Sequence, residues 1–514
     1  MERGRGNRDM KKAKLLIGLL ACLALTFAFA GCGQSSDTDD TDYTNDAKIL
    51  HVATTGNDES GDGSEEAPFA TVEGAIASGI GPGSEILIHE GTYEPFEITA
   101  EASGTGGAPV LIRAAEAPEG YEHVVIKSPK GKKQNGEDGM EEAIGIHMIN
   151  VSGIELQGLE IVGGTHGILY ESTPEQGKVP LTDIAISDCE VHDVVGTHGI
   201  AVYAGNDLAP VQFLGISGNE VYNCRCGDSE SLVLNGNIDS FNIAGNVIHD
   251  NNNIGIDMIG FEGTAKHQEN TGFKNLYDAD FVRNGQCHDN IVFNISTKGN
   301  PAYREKGGYD LSAGGIYVDG GQDIEIYNNF VFNCDIGLEV ATEHSPDDNE
   351  LFKVSGIKIH DNVVADCKGW CGLSFGGYDR NLGFTENCEF TNNTFVDNEM
   401  QVSVQRSKGN KIQNNLFVGG GAAIAFNEDC KEKDLINSFG RNIWCVEDGS
   451  LENHISVGDY DIDVLLPNGT LKKQNVLSNR DEVIDGFTSL IEGAGSEFVP
   501  GEGALKLYNE NNEH

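Results

Sequence analysis

From Gly199 onward, short stretches of alternating apolar and polar residues recur along the chain. Eight times an asparagine precedes a mostly apolar pair: Asn219, Asn246, Asn290, Asn329, Asn362, Asn393, Asn415 and Asn442. An alternating segment lies before most of these anchors, as in Phe213-Leu-Gly-Ile216, Ile324-Glu-Ile326 and Ile357-Lys-Ile359. A second follows most of them, as in Gly255-Ile-Asp-Met258, Gly315-Ile-Tyr-Val318 and Gly337-Leu-Glu-Val340. Period-two alternation predicts strands with one face inward. Self-similarity at this spacing predicts a solenoid in which each repeat stacks on the last. The fold class expected is therefore all-β, a single-stranded right-handed parallel β-helix. Each anchor is expected at a corner between strands, in left-handed geometry, with its amide joined to the copies above and below. Phe69, Val72 and Ile76 share a helical face and predict an N-terminal capping helix.

Aligning the second strands by their inward aliphatic residue orders the outward positions. One column reads Leu169, Ala201, Val233, Asp257, Tyr317, Glu339, Ser374, Ser403 and Ala425. A second, two residues on, reads Glu171, Tyr203, Asn235, Ile259, Asp319 and Ala341. Adjacent coils place side chains about 5 Å apart. Crowded carboxylates repel unless a cation, a retained proton or a basic partner compensates. That places Asp257, Asp319 and Glu339 in one candidate site with Tyr317, Asn235 and Tyr203. The alternative is a solvated acidic face on a very acidic protein. The widest gaps between anchors flank this cluster, and long loops on a rigid scaffold carry function. Those loops hold Phe261, Glu262, Tyr303 and Tyr309, and Lys266, Lys274, Arg283, Lys298, Arg304 and Lys306. The bases and aromatics are expected to overhang the carboxylates. Glu230 precedes the Asn235 strand, and Glu343 and His344 follow the Glu339 strand, so they extend the cleft. Thr165-His166-Gly167 recurs as Thr197-His198-Gly199, a stacked turn that adds His198 to the candidates.

The stretch Ile49-Leu-His-Val-Ala-Thr-Thr-Gly-Asn-Asp58, with Pro68-Phe-Ala-Thr71 and Ile86-Leu-Ile-His-Glu-Gly-Thr-Tyr93, resembles the opening of right-handed parallel β-helix proteins of the pectin-lyase-like superfamily. It is similar to family 9 polysaccharide lyases, and the resemblance covers roughly residues 48–445. It implies β-elimination on a uronic-acid-containing polysaccharide, a lysine base, and calcium held by acidic side chains. Asp257, Asp319 and Glu339 are the calcium candidates, since that cation prefers several oxygens. Lys306 or Arg304 is the candidate base. No lysine stands in the outward columns near the acids, which departs from the family pattern. Two other readings stay open. One is a glycoside hydrolase pairing Asp257 with Glu339 or Asp319. The other is a non-catalytic glycan-binding or adhesive surface protein.

Composition narrows the partners. The formal net charge of −47 argues against nucleic acid, whose phosphates need basic surface. Residues 1–31 combine a basic start, an apolar run from Leu15 to Ala30, and Gly31 before Cys32. That pattern predicts an export signal resembling a bacterial lipobox, with lipid on Cys32 and the domain facing outside the cytoplasm. Residues 32–47 read as an acidic tether, 48–445 as the β-helix, and 446–514 as last coils and a C-terminal cap with an acidic tail. The chain is expected to be a monomer. Ten cysteines follow Cys32, and Cys224, Cys334 and Cys367 each lie five residues after an anchor. That regularity predicts buried thiols in equivalent inner positions rather than disulfides.

Overall fold

The computed structural model describes residues 47–512 apart from 119, 131–141, 378–379, 468, 470–473, 479, 481–483, 486–487 and 490–493. The signal-like segment, Cys32 and most of the tether lie outside the described residues. Three long parallel sheets, here A, B and C, run along one axis with 14, 13 and 12 strands. Each coil supplies one strand to each sheet in turn. Glu325–Tyr327 enters A, Phe330–Phe332 enters B and Ile336–Ala341 enters C. The following coil repeats the order with Lys358–His360, Val363–Ala365 and Cys371–Gly376. The chain is thus a right-handed parallel β-helix.

The period-two pattern explains the packing. Ile316 and Val318, Leu338 and Val340, and Leu373 and Phe375 point into the coil and are buried. Inner aromatics stack between coils, with Phe395, Phe417 and Trp444 at 5.0 and 4.1 Å between successive ring centroids. All ten described cysteines are buried and none forms a disulfide. They act as small apolar fillers.

The eight anchors form an unbroken ladder. Asn290 Nδ2 donates to Asn329 Oδ1 at 3.0 Å, and Asn329 Nδ2 to Asn362 Oδ1 at 2.9 Å. The backbone N–H of each also donates to the next amide oxygen, as Asn329 does to Asn362 at 2.9 Å. A buried corner exposes backbone groups that no strand can satisfy, and the amide satisfies them with one donor and one acceptor. The left-handed geometry expected at the anchors belongs instead to their neighbours. Asp289, Asn328 and Asp361, one residue before, have φ of 54–55°, and Asn294, Asn333 and Asp366, four after, have φ of 53–54°. The anchor amide must turn inward to reach the next coil, so the sharp bends fall on either side of it.

The ends differ from expectation. The N-terminal helix spans only Val72–Ala77, with Val72 and Ala75 buried. Phe69 precedes it and bridges to Val52. Within the segment after the last anchor, a helical turn at Ile462–Leu465 is begun by the Asp461 carboxylate accepting from Asp463 N–H. The acidic tail is not a loose end: Glu502–Asn512 is a helix. Its Ala504, Leu507 and Tyr508 pack on Phe330, Phe332, Val363 and Ala365 of sheet B, well back from the last coil.

Replacing Asn329 by alanine removes the buried acceptor of the Asn290 backbone N–H and the side-chain donor to Cys287 O, while Asn362 Oδ1 keeps the Asn329 N–H and Tyr327 O keeps the Asp289 N–H. A loss of about 3 kcal/mol is expected, since each stranded buried group costs roughly 1–3 kcal/mol. Urea unfolding followed by circular dichroism measures it.

Candidate functional site

Sheet C carries the site, and its register matches the aligned columns. Asp257 pairs with Tyr317 and Tyr317 with Glu339, while Glu339 pairs with Ser374. Asn235 lies beside Tyr203 in the second column. Because Ile256, Met258, Ile316, Val318, Leu338 and Val340 fill the core, the residues between them face outward. Outward does not mean wet here. Asp257 is 1% exposed, Asp319 6%, Tyr317 7% and Asn235 6%. One oxygen on each of Asp257, Asp319, Asn235 and Ser374 is buried with no hydrogen-bond partner. Four orphaned polar atoms on one face mark a place built for something other than self-association. Asn253, which sequence patterning did not single out, adds a fifth beside it. It is one of three consecutive asparagines, and nothing in that run marks the third as special.

The loops form two walls. On one side Glu230 lies against His198, with Glu230 Oε2 3.3 Å from Nδ1, while His198 Nε2 contacts Tyr203 Oη at 2.8 Å. Tyr303 Oη accepts from Asn253 Nδ2 at 3.2 Å on the same side. On the other side His344 Nε2 meets Glu262 Oε1 at 2.8 Å. That wall is held by a knot in which Phe352 packs against Phe261, Tyr277 and His344 at 4.9–5.3 Å. Gly314 keeps space open, since a Cβ there would lie 3.4 Å from Glu339 Oε2 and 3.3 Å from Tyr317 Cβ.

The electrostatics are one-sided. Burial pushes the Asp257 carboxyl well above its usual range, and Asp319, Glu230 and Glu339 push it further. Asp319 is raised by burial and then by Glu343 and Glu262. Glu339 is pushed up to about 8 by burial, then by Glu343. Glu230 likewise reaches about 8 through burial and the charges of Glu262, Glu343 and Asp228. Tyr317 is raised well above its ordinary value by burial first, then by Asp319. Glu262 bonding raises His344. Among the described residues no Lys or Arg forms an ion pair with Glu230, Asp257, Asp319, Glu339 or Glu343.

The basic groups expected to overhang the acids are elsewhere. Arg304 and Lys306 sit on an exposed hairpin, Arg304–Glu305 with Gly308–Tyr309. Neither contacts the carboxyls. Lys266 lies 4.8 Å over the Tyr277 ring, and Arg283 bonds Asn237 and Phe281 O. Phe261 is buried in the wall rather than presented to the cleft. The calcium set does not gather either. Tyr317 stands between Asp257 and Glu339, and among the described residues no three His, Cys, Asp or Glu side chains are placed to hold a metal ion.

A right-handed parallel β-helix with a covered, carboxyl-lined face on one sheet defines the class. The chain belongs to the family of the uncharacterized protein YwoF of Bacillus subtilis (strain 168), to which it is 34% identical over 445 residues, covering 84% of this chain and 86% of that one. Residues 275–456 match the family model described as periplasmic copper-binding protein (NosD). The GH136 lacto-N-biosidase from Eubacterium ramulus has a similar fold, with a TM-score of 0.52, 13% identity, and 80% of this chain and 68% of that one covered. The pectate lyase Pel9A aligns with a TM-score of 0.45, 15% identity, and 70% and 78% coverage.

A carboxyl whose folded pKa is raised binds its proton more tightly than in the unfolded chain. Its stabilising contribution is full below about 4.5, falls as pH rises and is gone above about 8. The thermal midpoint is therefore expected to drop between pH 5 and 8. Glu339→Gln is expected to flatten part of that fall, read by differential scanning fluorimetry across buffers.

Proposed function

We propose that the outer face of sheet C binds a neutral or amine-bearing glycan and hydrolyses its glycosidic bond. The carrying observation is the column of buried carboxyls with orphaned oxygens and no basic partner. Sugar hydroxyls supply the missing donors, whereas a uronate would bring further negative charge against carboxylates that already repel one another. Lyase chemistry needs a base and a countercharge at this face, and Lys306 and Arg304 lie on an exposed hairpin without an ion pair to these carboxyls. Hydrolysis needs only carboxyls in two protonation states.

Glu339 suits the general acid. Its environment holds the proton at neutral pH, and it is less covered than Asp257. Glu343 suits the partner that ionises: it is exposed, its charge acts on Glu339, and its own carboxyl is raised by burial and Glu262 but lowered by His344. Asp257, at 1% exposure, lies deepest on this face, and burial with the charges of Asp319, Glu230 and Glu339 holds its proton in place. Glu230, Tyr203, His198, Glu262 and His344 line the walls and contact hydroxyls.

Digestion of a glycan panel tests this directly. Reducing ends are expected to accumulate without unsaturated sugars, and to persist in chelator. Glu339→Gln and Glu343→Gln are each expected to lower kcat by about 100-fold or more, the range for losing a general acid or base. Unsaturated products would restore the lyase reading, and retention without turnover would leave a binding protein.

The same reading includes export and tethering through Cys32, supported by the basic–apolar start and by the periplasmic description of the matching family model. Cys32→Ala is expected to shift the protein from the membrane fraction to the soluble exported fraction, followed by immunoblotting.

A further inference from the structure

A second feature lies on the corner where sheet B turns toward sheet C, away from the acid face. Two adjoining hollows of about 540 and 460 Å³ share Asn223 and Arg225 in their walls. Lys298 lines one and Lys127 the other. All three cations are exposed, in a chain of net charge −47. Among the described residues Lys127 and Lys298 form no side-chain hydrogen bond or ion pair; Arg225 has a 3.5 Å contact with Asn223 Oδ1, and its charge helps to lower Asp250 across the hollow.

The acids of this corner are otherwise engaged. Asp193 is held by His192 Nδ1 at 2.8 Å and by the Asn223 amide. Asp250 is held by His249 Nδ1 at 2.7 Å and by Asn294 Nδ2 at 3.0 Å. Lys127 and Lys298 are therefore left to an outside partner, and Arg225 is shared with only one acid, Asp250. The hydroxyl of Ser128, a residue 6% exposed in the wall of the smaller hollow, is buried and has no hydrogen-bond partner. That is an independent sign of an absent ligand group.

Register sets the shape of the ligand. Lys127 aligns with Val162, His192 and Tyr222 on successive strands, so Arg225 lies about three coils along the axis from Lys127. Lys298 lies two coils further. At about 4.8 Å per coil the three span roughly 24 Å. No small anion bridges that distance, but an extended polymer with repeated negative groups does. Local attraction survives the acidic net charge because screening confines each charge to about 8 Å at physiological salt.

We infer that this corner is a second glycan site, binding an acidic polysaccharide along the helix axis through Lys127, Arg225 and Lys298. Carboxylates meet the three cations, and sugar hydroxyls meet Ser128 Oγ and the asparagine amides. The site is separate from the acid face and does not depend on the activity proposed there.

A fluorescent oligogalacturonate long enough to span the three cations is the probe, read by anisotropy with the full chain. Binding is expected at low salt and should weaken as salt rises. The triple variant Lys127→Gln, Arg225→Gln, Lys298→Gln is expected to bind about tenfold more weakly, since exposed ion pairs are individually weak and only their sum is measurable. Ser128→Ala should weaken binding in the same direction, while Glu339→Gln leaves it unchanged. Circular dichroism confirms that each variant is folded. No binding by the parent, or equal binding by the triple variant, overturns the proposal. Equally tight, equally charge-dependent binding of duplex DNA would reduce the corner to a general polyanion patch and overturn the sugar assignment.

Discussion

In-register stacking of successive coils is the constraint on which the rest of the molecule depends. Each strand pairs with its equivalent one coil away, so every side chain meets its counterpart at about 4.8 Å. The asparagine ladder reinforces this spacing at the corner between sheets A and B, with amide bonds of 2.9–3.1 Å from Asn219 to Asn442. A one-residue slip would turn Asp257 and Glu339 inward and the core aliphatics outward. The register is thus fixed by the core and shared by every outward column.

The same rigidity produces the unusual chemistry of sheet C. Acids on an ordinary surface separate or rotate into water. Here Asp257, Tyr317 and Glu339 occupy successive coils, with Asp319 in the neighbouring column, at spacings that pairing does not let them change, beneath walls that exclude solvent. Burial and mutual repulsion leave protons as the available relief, which is why Glu339 and Glu230 rise to about 8. The fold holds these groups in a state that water would not allow, and that state suits proton donation. On the neighbouring corner the same spacing spreads three cations out instead of crowding them.

Much of this was legible in the chain. The anchors and the alternation identified the coils, and the first aligned column matches the observed pairing from Leu169 to Ala425, whereas the second breaks where Ile259 bridges Gly320 rather than pairing with Asp319. The five-residue offset of Cys224, Cys334 and Cys367 correctly signalled buried thiols. Loop positions were not legible in this way. Lys306 lies between Asp257 and Tyr317 in sequence yet sits on an exposed hairpin, and Phe261 packs into a wall instead of overhanging the acids. The fold-back of Glu502–Asn512 onto sheet B was also hidden, because a few apolar residues on a short helix do not name the surface they meet.

Sequence by itself determined what repeats: the coil, the ladder, the register and the column in which the acids fall. Repetition makes those features local, because each position is set by an identical neighbour one coil away. Tertiary structure alone decided what does not repeat. It settled how deeply Asp257 and Asp319 are covered, how much of Glu339 and Glu343 is exposed, and where Lys127, Arg225 and Lys298 lie along the axis. Those outcomes depend on loops that close over the rigid frame from distant parts of the chain, and no periodic pattern encodes such contacts.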